Sequence, residues 1–122
     1  MTAIVVTLAA GAVGAVLRFL VTRAFASRPG VPWAVLVVNV VGSAIGGAVL
    51  ALAQLGSVSG DVRLILLTGF CGGLTTFSTF GVETIQLVMG GRARVAALSV
   101  LANLVLGIGA AALVYGLVIL AR

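Results

Sequence analysis

The sequence has no lysine and no histidine, a single cysteine, two prolines and only two acidic residues, Asp61 and Glu83. Each scarcity closes a class of function. With no histidine and only Cys71, no thiolate or imidazole set can hold zinc or iron, and no internal disulfide can form. There is no Cys–His or Ser–His pair, no pair of neighbouring carboxylates and no phosphate-binding glycine loop between a strand and a helix, so the inventory excludes an enzyme. Charged side chains make up 7% of the 122 residues. Soluble domains carry about 25%.

What fills the chain is apolar. Hydrophobic residues reach 62%, and the mean hydropathy is +1.38. An all-α integral membrane protein is expected, with at most about four or five spans of ~20 residues each. The net charge of +5 comes from seven arginines. They sit at the ends of hydrophobic segments, where arginine anchors helices and sets topology, and form no single patch; nucleic acid is not an expected partner. Cys71 reads as a small apolar residue in a packed helix.

Four spans are predicted, at residues 3–25, 33–55, 62–89 and 95–121, together forming one transmembrane domain. The first lacks a basic leader and is too long for a cleaved signal, so it is expected to be retained. It carries the small residues Gly11, Gly14 and Ala15, which favour close helix approach. It also carries Arg18, which either snorkels to the interface or places a fixed charge at an aqueous vestibule. Both prolines fall in the following SRPGVP connection, and Trp33 then fits an interfacial anchor. The second span holds Asn39 in its interior, with Ser43 one turn on; that face either bonds a neighbouring helix or lines a pore. Asp61 is a plausible N-cap for the third span. In the fourth, Ser99, Asn103 and Gly107 share one face, for packing or for lining.

The third span is the irregular one. Gly69–Gly81 reads GFCGGLTTFSTFG. Its glycine pair and Thr/Ser/Phe run predict an interrupted helix, unwound around Gly72–Thr75. Broken helix at membrane depth survives only against protein or water. Freed carbonyls there could coordinate a cation such as sodium. Phe77 and Phe80 are three residues apart and share a face if helix resumes. An aromatic ring has a positive edge and a negative face, so edges turned to a path favour an anion. Amides of Asn39 and Asn103, with serine and threonine hydroxyls, supply neutral donors.

Taken together, these stretches resemble the Fluc (CrcB) family of fluoride channels. GFCGGLTTFSTFG through Glu83 matches the family's third-span signature, GAVGAVLRF (Gly11–Phe19) its glycine-rich start, and NVVGSAIGG (Asn39–Gly47) its second-span motif. The resemblance implies a passive, fluoride-selective channel that exports fluoride across the cell membrane, built as an antiparallel dimer with two pores. It implies that Phe77 and Phe80 turn ring edges to fluoride, that Asn39 lines the pore, and that Thr79 and Glu83 follow as polar positions. Arg18 matches a vestibule arginine. Gly72 and Thr75 match positions whose carbonyls bind a structural sodium ion (Na+) at the dimer centre. The family's fourth-span polar track falls on Ser99, Asn103 and Gly107, where Gly107 departs from it.

Two other classes compete. A small four-span proton-coupled multidrug exporter needs an acidic residue in its cavity, and only Glu83 qualifies. A structural subunit would transport nothing. Arginines number four on loops one and three (Arg23, Arg28, Arg92, Arg94) against two on the other side (Arg63, Arg122). That bias puts loops one and three in the cytoplasm and is small enough for dual topology, with a homodimer favoured over a paired heterodimer.

Overall fold

Predominantly apolar segments of 22 or more residues rise about 1.5 Å per residue as helix, enough to cross a hydrocarbon core of about 30 Å. The computed structural model describes all residues from Met1 to Arg122. It is wholly helical. Helix α1 spans Thr2–Ala24 and α2 spans Trp33–Gln54. The third crossing is assembled from α3 (Gly60–Leu64), a π-helical stretch (Ile65–Cys71), α4 (Gly72–Leu74) and α5 (Ser78–Met89). Helix α6, Ala93–Ala121, makes the fourth. Four helices are therefore long and apolar enough to span a membrane.

The connections end as their residues dictate. Gly56 and Gly91 take φ of +75° and +79°, the left-handed region that closes a helix without a Cβ clash. At the second of these, the Arg92 N–H reaches back to the Leu87 carbonyl at 2.8 Å. The third crossing starts two residues earlier than the sequence reading placed it. Ser59, not Asp61, is the N-cap: its backbone is extended and its hydroxyl accepts from the Val62 N–H at 3.2 Å. Asp61 lies inside the first turn, where a carboxylate favours the positive end of the helix.

Two pairings organise the bundle. Helix α2 packs along α6, while α1 packs along the π-helical stretch and α4. The second pairing is backbone on backbone. A Cβ on Gly73 would run into the Gly11 carbonyl, and one on Gly14 would meet the Phe70 carbonyl and, at 2.8 Å, the Leu74 N. These glycines stay helical, because their task is to let α1 approach. That corrects the expected position of the break. The chain leaves helix at Thr75, whose ψ is 161°, and re-enters it at Phe77, whose φ and ψ are −91° and −37°. Unwinding thus covers Thr75–Phe77 rather than Gly72–Thr75.

The π-helical stretch had no expectation attached to it. It lies against α1, where a Cβ on Gly69 would run into the Thr7 carbonyl and meet Ala10 at 3.1 Å, so the absence of a side chain there lets the two helices approach. Such π segments recur at functional sites.

Candidate functional site at the helix break

A break inside a membrane helix strands peptide groups, and each must find a partner. Here α2 supplies it. The Asn39 Oδ1 accepts the Thr76 N–H at 2.9 Å, and its Nδ2 donates to the Thr76 carbonyl at 3.1 Å. One side-chain amide therefore pairs with both peptide groups of one non-helical residue, as a neighbouring strand does. One turn along α2, Gly42 leaves space that the Thr75 methyl fills.

Thr76 then restarts the helix. Its hydroxyl accepts the Thr79 N–H at 3.1 Å, the bond of an N-cap three residues upstream. Thr76 was not among the residues singled out from sequence. The signal was present: a threonine just before α5, three residues ahead of the amide it caps.

A chain of amides continues from Asn39 into α6. Its Nδ2 also donates to the Asn103 Oδ1 at 3.2 Å, and the Asn103 Nδ2 donates to the Ser99 carbonyl at 2.8 Å. Ser99 is 1% exposed, so it sits within the α2–α6 seam. Beyond it, Ser43 faces Gly107: its hydroxyl lies 3.5 Å from where a Cβ on Gly107 would stand. Both faces left open by the sequence reading are therefore packed against each other, with their polar groups in register.

The two rings do come together. Phe77 and Phe80 have centroids 6.1 Å apart, tilted by 41°. Phe80 is half-buried, whereas Phe77 is 84% exposed on the single chain.

On the α1 side of the break, Arg18 does not hang free. Its Nε donates to the Gly73 carbonyl at 3.0 Å. The cation caps a C-terminal carbonyl of the interrupted helix, where positive charge is favoured. The flanking carbonyls of Gly72 and Thr75 accept no hydrogen bond within the chain: Thr76 N–H, the donor that would close on Gly72, goes to Asn39.

Glu83 lies apart from this cluster. It lines a cavity of about 430 Å³ with Arg28, Arg92, Gln86, Thr22 and Trp33, and its Oε2 is buried without a hydrogen-bond partner. Arg28 and Arg92 belong to the connections after α1 and α5, so this cavity opens at the end carrying loops one and three. Chemically the break offers neutral N–H and O–H donors, two rings and bare carbonyls. No group of three His, Cys, Asp or Glu side chains is gathered for a metal, so any cation held here would rest on backbone oxygen.

A family described as "CrcB-like protein, Camphor Resistance (CrcB)" matches residues 5–117 of this sequence. The chain belongs to the CrcB family. Relatives include proteins named fluoride-specific ion channel FluC. That of Thermus thermophilus is 40% identical over 111 residues, covering 88% of this chain and 87% of its own. That of Shewanella amazonensis is 42% identical over 102 residues, covering 80% and 81%. That of Methanococcus aeolicus is 41% identical over 78 residues, and the chain spans 63% of its length. With four apolar helices of spanning length, this CrcB chain is a multi-pass membrane protein.

Proposed function

We propose that this CrcB protein is a passive fluoride-selective channel that lets fluoride leave the cytoplasm across the cell membrane. The observation that carries the reading is the composition of the break, in a chain whose relatives are named for fluoride. Neutral donors and a ring pair sit together there, with no carboxylate among them. A small anion gives up water only where donors replace it, and a fixed negative charge in the path would repel it. Phe77 and Phe80 then line the path with Asn39, Asn103, Ser99 and Thr79, Glu83 stands towards its mouth, and Arg18 lends positive potential from the side. An exporter reading draws no support from the relatives, and neither acid of the third crossing is at the break: Asp61 lies in its first turn and Glu83 at the cavity wall.

The path is completed, in this reading, by a second copy set antiparallel to the first, with dual topology. Phe77 and Gly72 are exposed beside bare carbonyls at membrane depth, which lipid does not tolerate. A partner copy covers them. The free carbonyls of Gly72 and Thr75 fit a hard, oxygen-seeking cation, and two copies supply four. Bound sodium would supply fixed positive charge that ties the two breaks together. Loops one and three, with four of the seven arginines, face the cytoplasm in the favoured orientation.

The test is efflux from liposomes holding purified protein, read with fluoride- and chloride-selective electrodes. Fluoride should run down its gradient with no proton or sodium gradient, and chloride should stay inside. Equal release of the two anions would sink the proposal.

A further inference from the structure

Beyond the break, α5 packs along α6 rather than along α1 or α2. The wedge left open towards those two is the cavity of about 430 Å³ at the end carrying loops one and three. Sites for small organic groups span about 300–1,000 Å³, so the cavity is large enough for one. Three formal charges face it, and none is paired within the chain. Glu83, on α5, is half-buried, and its Oε2 is closed off without a hydrogen-bond donor. Arg28 comes from loop one and sets its guanidinium over the Phe25 ring at 5.6 Å. Arg92 comes from loop three and reaches across to loop one, its Nη2 3.9 Å from where a Cβ on Gly30 would stand. Trp33, at the start of α2, lines the same cavity and marks the level of the membrane–water interface.

We infer that this cavity is a phospholipid site and that the lipid it selects bears a primary amine: the phosphate sits between Arg28 and Arg92, and the ammonium turns to Glu83. Each half follows from the charges. A phosphodiester has two free oxygens, and a guanidinium forks onto such a group through parallel N–H donors. Two unpaired guanidiniums, brought to one cavity by different loops, leave an anion to bridge them. A buried acceptor without a donor is costly, so a group that brings N–H donors to Glu83 is favoured there. A primary ammonium brings three, and a quaternary one brings none. The interfacial level of Trp33 makes the membrane the source of the phosphate, since headgroups stand at that depth. Phe25 and Leu87 add apolar wall for the glycerol end of the lipid. Nothing in this site depends on whether the chain passes fluoride.

The experiment uses the full-length protein, purified and stripped of lipid in one detergent, with bound lipid counted by native mass spectrometry and melting followed by circular dichroism. Phosphatidylethanolamine, phosphatidylglycerol and phosphatidylcholine of matched chains are added in turn, and inorganic phosphate separately. Phosphatidylethanolamine should bind about tenfold or more tighter than the other two lipids, the scale of one hydrogen bond to a charged partner, and should raise the melting temperature most. Inorganic phosphate at the same concentration should leave the melt unchanged. Arg28→Gln combined with Arg92→Gln should weaken phosphatidylethanolamine binding by about tenfold or more. Arg23→Gln combined with Arg94→Gln removes as much charge from the same end but outside the cavity, and should bind like wild type. Glu83→Gln should keep phosphatidylglycerol binding and lose the preference for the amine. Wild type binding the three lipids alike, a result that needs no variant to fold, would overturn the inference. So would inorganic phosphate that stabilises as well as the lipid does, which makes this a site for a soluble anion, or an Arg23 and Arg94 variant that loses as much binding as the Arg28 and Arg92 one.

Discussion

Replacing Gly14 by alanine places one methyl group against three backbone atoms at once. A Cβ there would lie 2.8 Å from Leu74 N and 3.2 Å from Gly73 C, and closer still to the Phe70 carbonyl. None of these can rotate aside. To restore an ordinary contact of 3.4 Å at Leu74 alone, α1 must withdraw by about 0.6 Å. Overpacking of this kind costs about 1–3 kcal/mol. The same withdrawal stretches the 3.0 Å bond from Arg18 to the Gly73 carbonyl past hydrogen-bond reach. Polar contacts between membrane helices contribute about 0.6–2 kcal/mol, so the total loss is on the order of 2–4 kcal/mol. Gly11→Ala is the control. It sits three residues away in the same helix, and its Cβ would meet the Gly69 carbonyl at a tolerable 3.4 Å. Both changes gain the same ~1 kcal/mol of helix propensity, so the difference between them isolates the packing. Melting of the two purified variants, followed by helical circular dichroism in one detergent, should put Gly14→Ala clearly below wild type and Gly11→Ala close to it. A Gly14→Ala protein as stable as wild type, or Gly11→Ala as the worse of the pair, would refute the reasoning.

Three further outcomes follow from the same geometry. Thr76→Val removes the hydroxyl that caps α5 and should lower stability by about 1 kcal/mol, while Thr76→Ser should leave the melting temperature near wild type. Gly47→Ala drives a methyl into the Ala111 carbonyl, 3.0 Å from Ala111 Cα, and should destabilise the α2–α6 pairing by about 1–3 kcal/mol, read by the same melt. If sodium rests on the Gly72 and Thr75 carbonyls, exchanging it for a bulky organic cation should lower the melting temperature, since a site filled at about 100 times its Kd contributes about 2.7 kcal/mol; an unchanged melt on sodium removal would count against the site.

Hydropathy made most of the fold legible. Spans expected at 3–25, 33–55 and 95–121 fall on Thr2–Ala24, Trp33–Gln54 and Ala93–Ala121, because a window of apolar residues reports burial in lipid whatever the neighbours are. An irregular third crossing was also legible, since glycine pairs and hydroxyl clusters are poor lipid-facing helix. Its exact course was not. Gly72 and Gly73 look alike whether they loosen a helix or let another one approach, and only the position of Gly11 and Gly14 decides it. The π-helical turn has no composition of its own. Thr76 hid in a Thr–Thr pair whose hydroxyls part ways only in the fold: Thr75 reaches the carbonyl four back, Thr76 the amide three ahead. The two asparagines could be assigned to membrane depth. Which of their protons are free depends on the register of α2 against α6, and that is a property of the pair of helices.

The strap from Asn39 to Thr76 has a consequence for how the break moves. An interrupted helix is usually the first place where backbone amides exchange with solvent, since its peptide groups lie outside any ladder. Here the Thr75 N–H still closes on the Cys71 carbonyl, but the Thr76 N–H is bound by a side chain rooted in a different crossing, 37 residues away in sequence. Freeing it requires α2 to part from the third crossing, not a local flicker of one loop. The Thr76 amide should therefore exchange at the slow rate of the helix pairing, and a change that loosens that pairing will be registered at this one proton before the neighbouring helices fray.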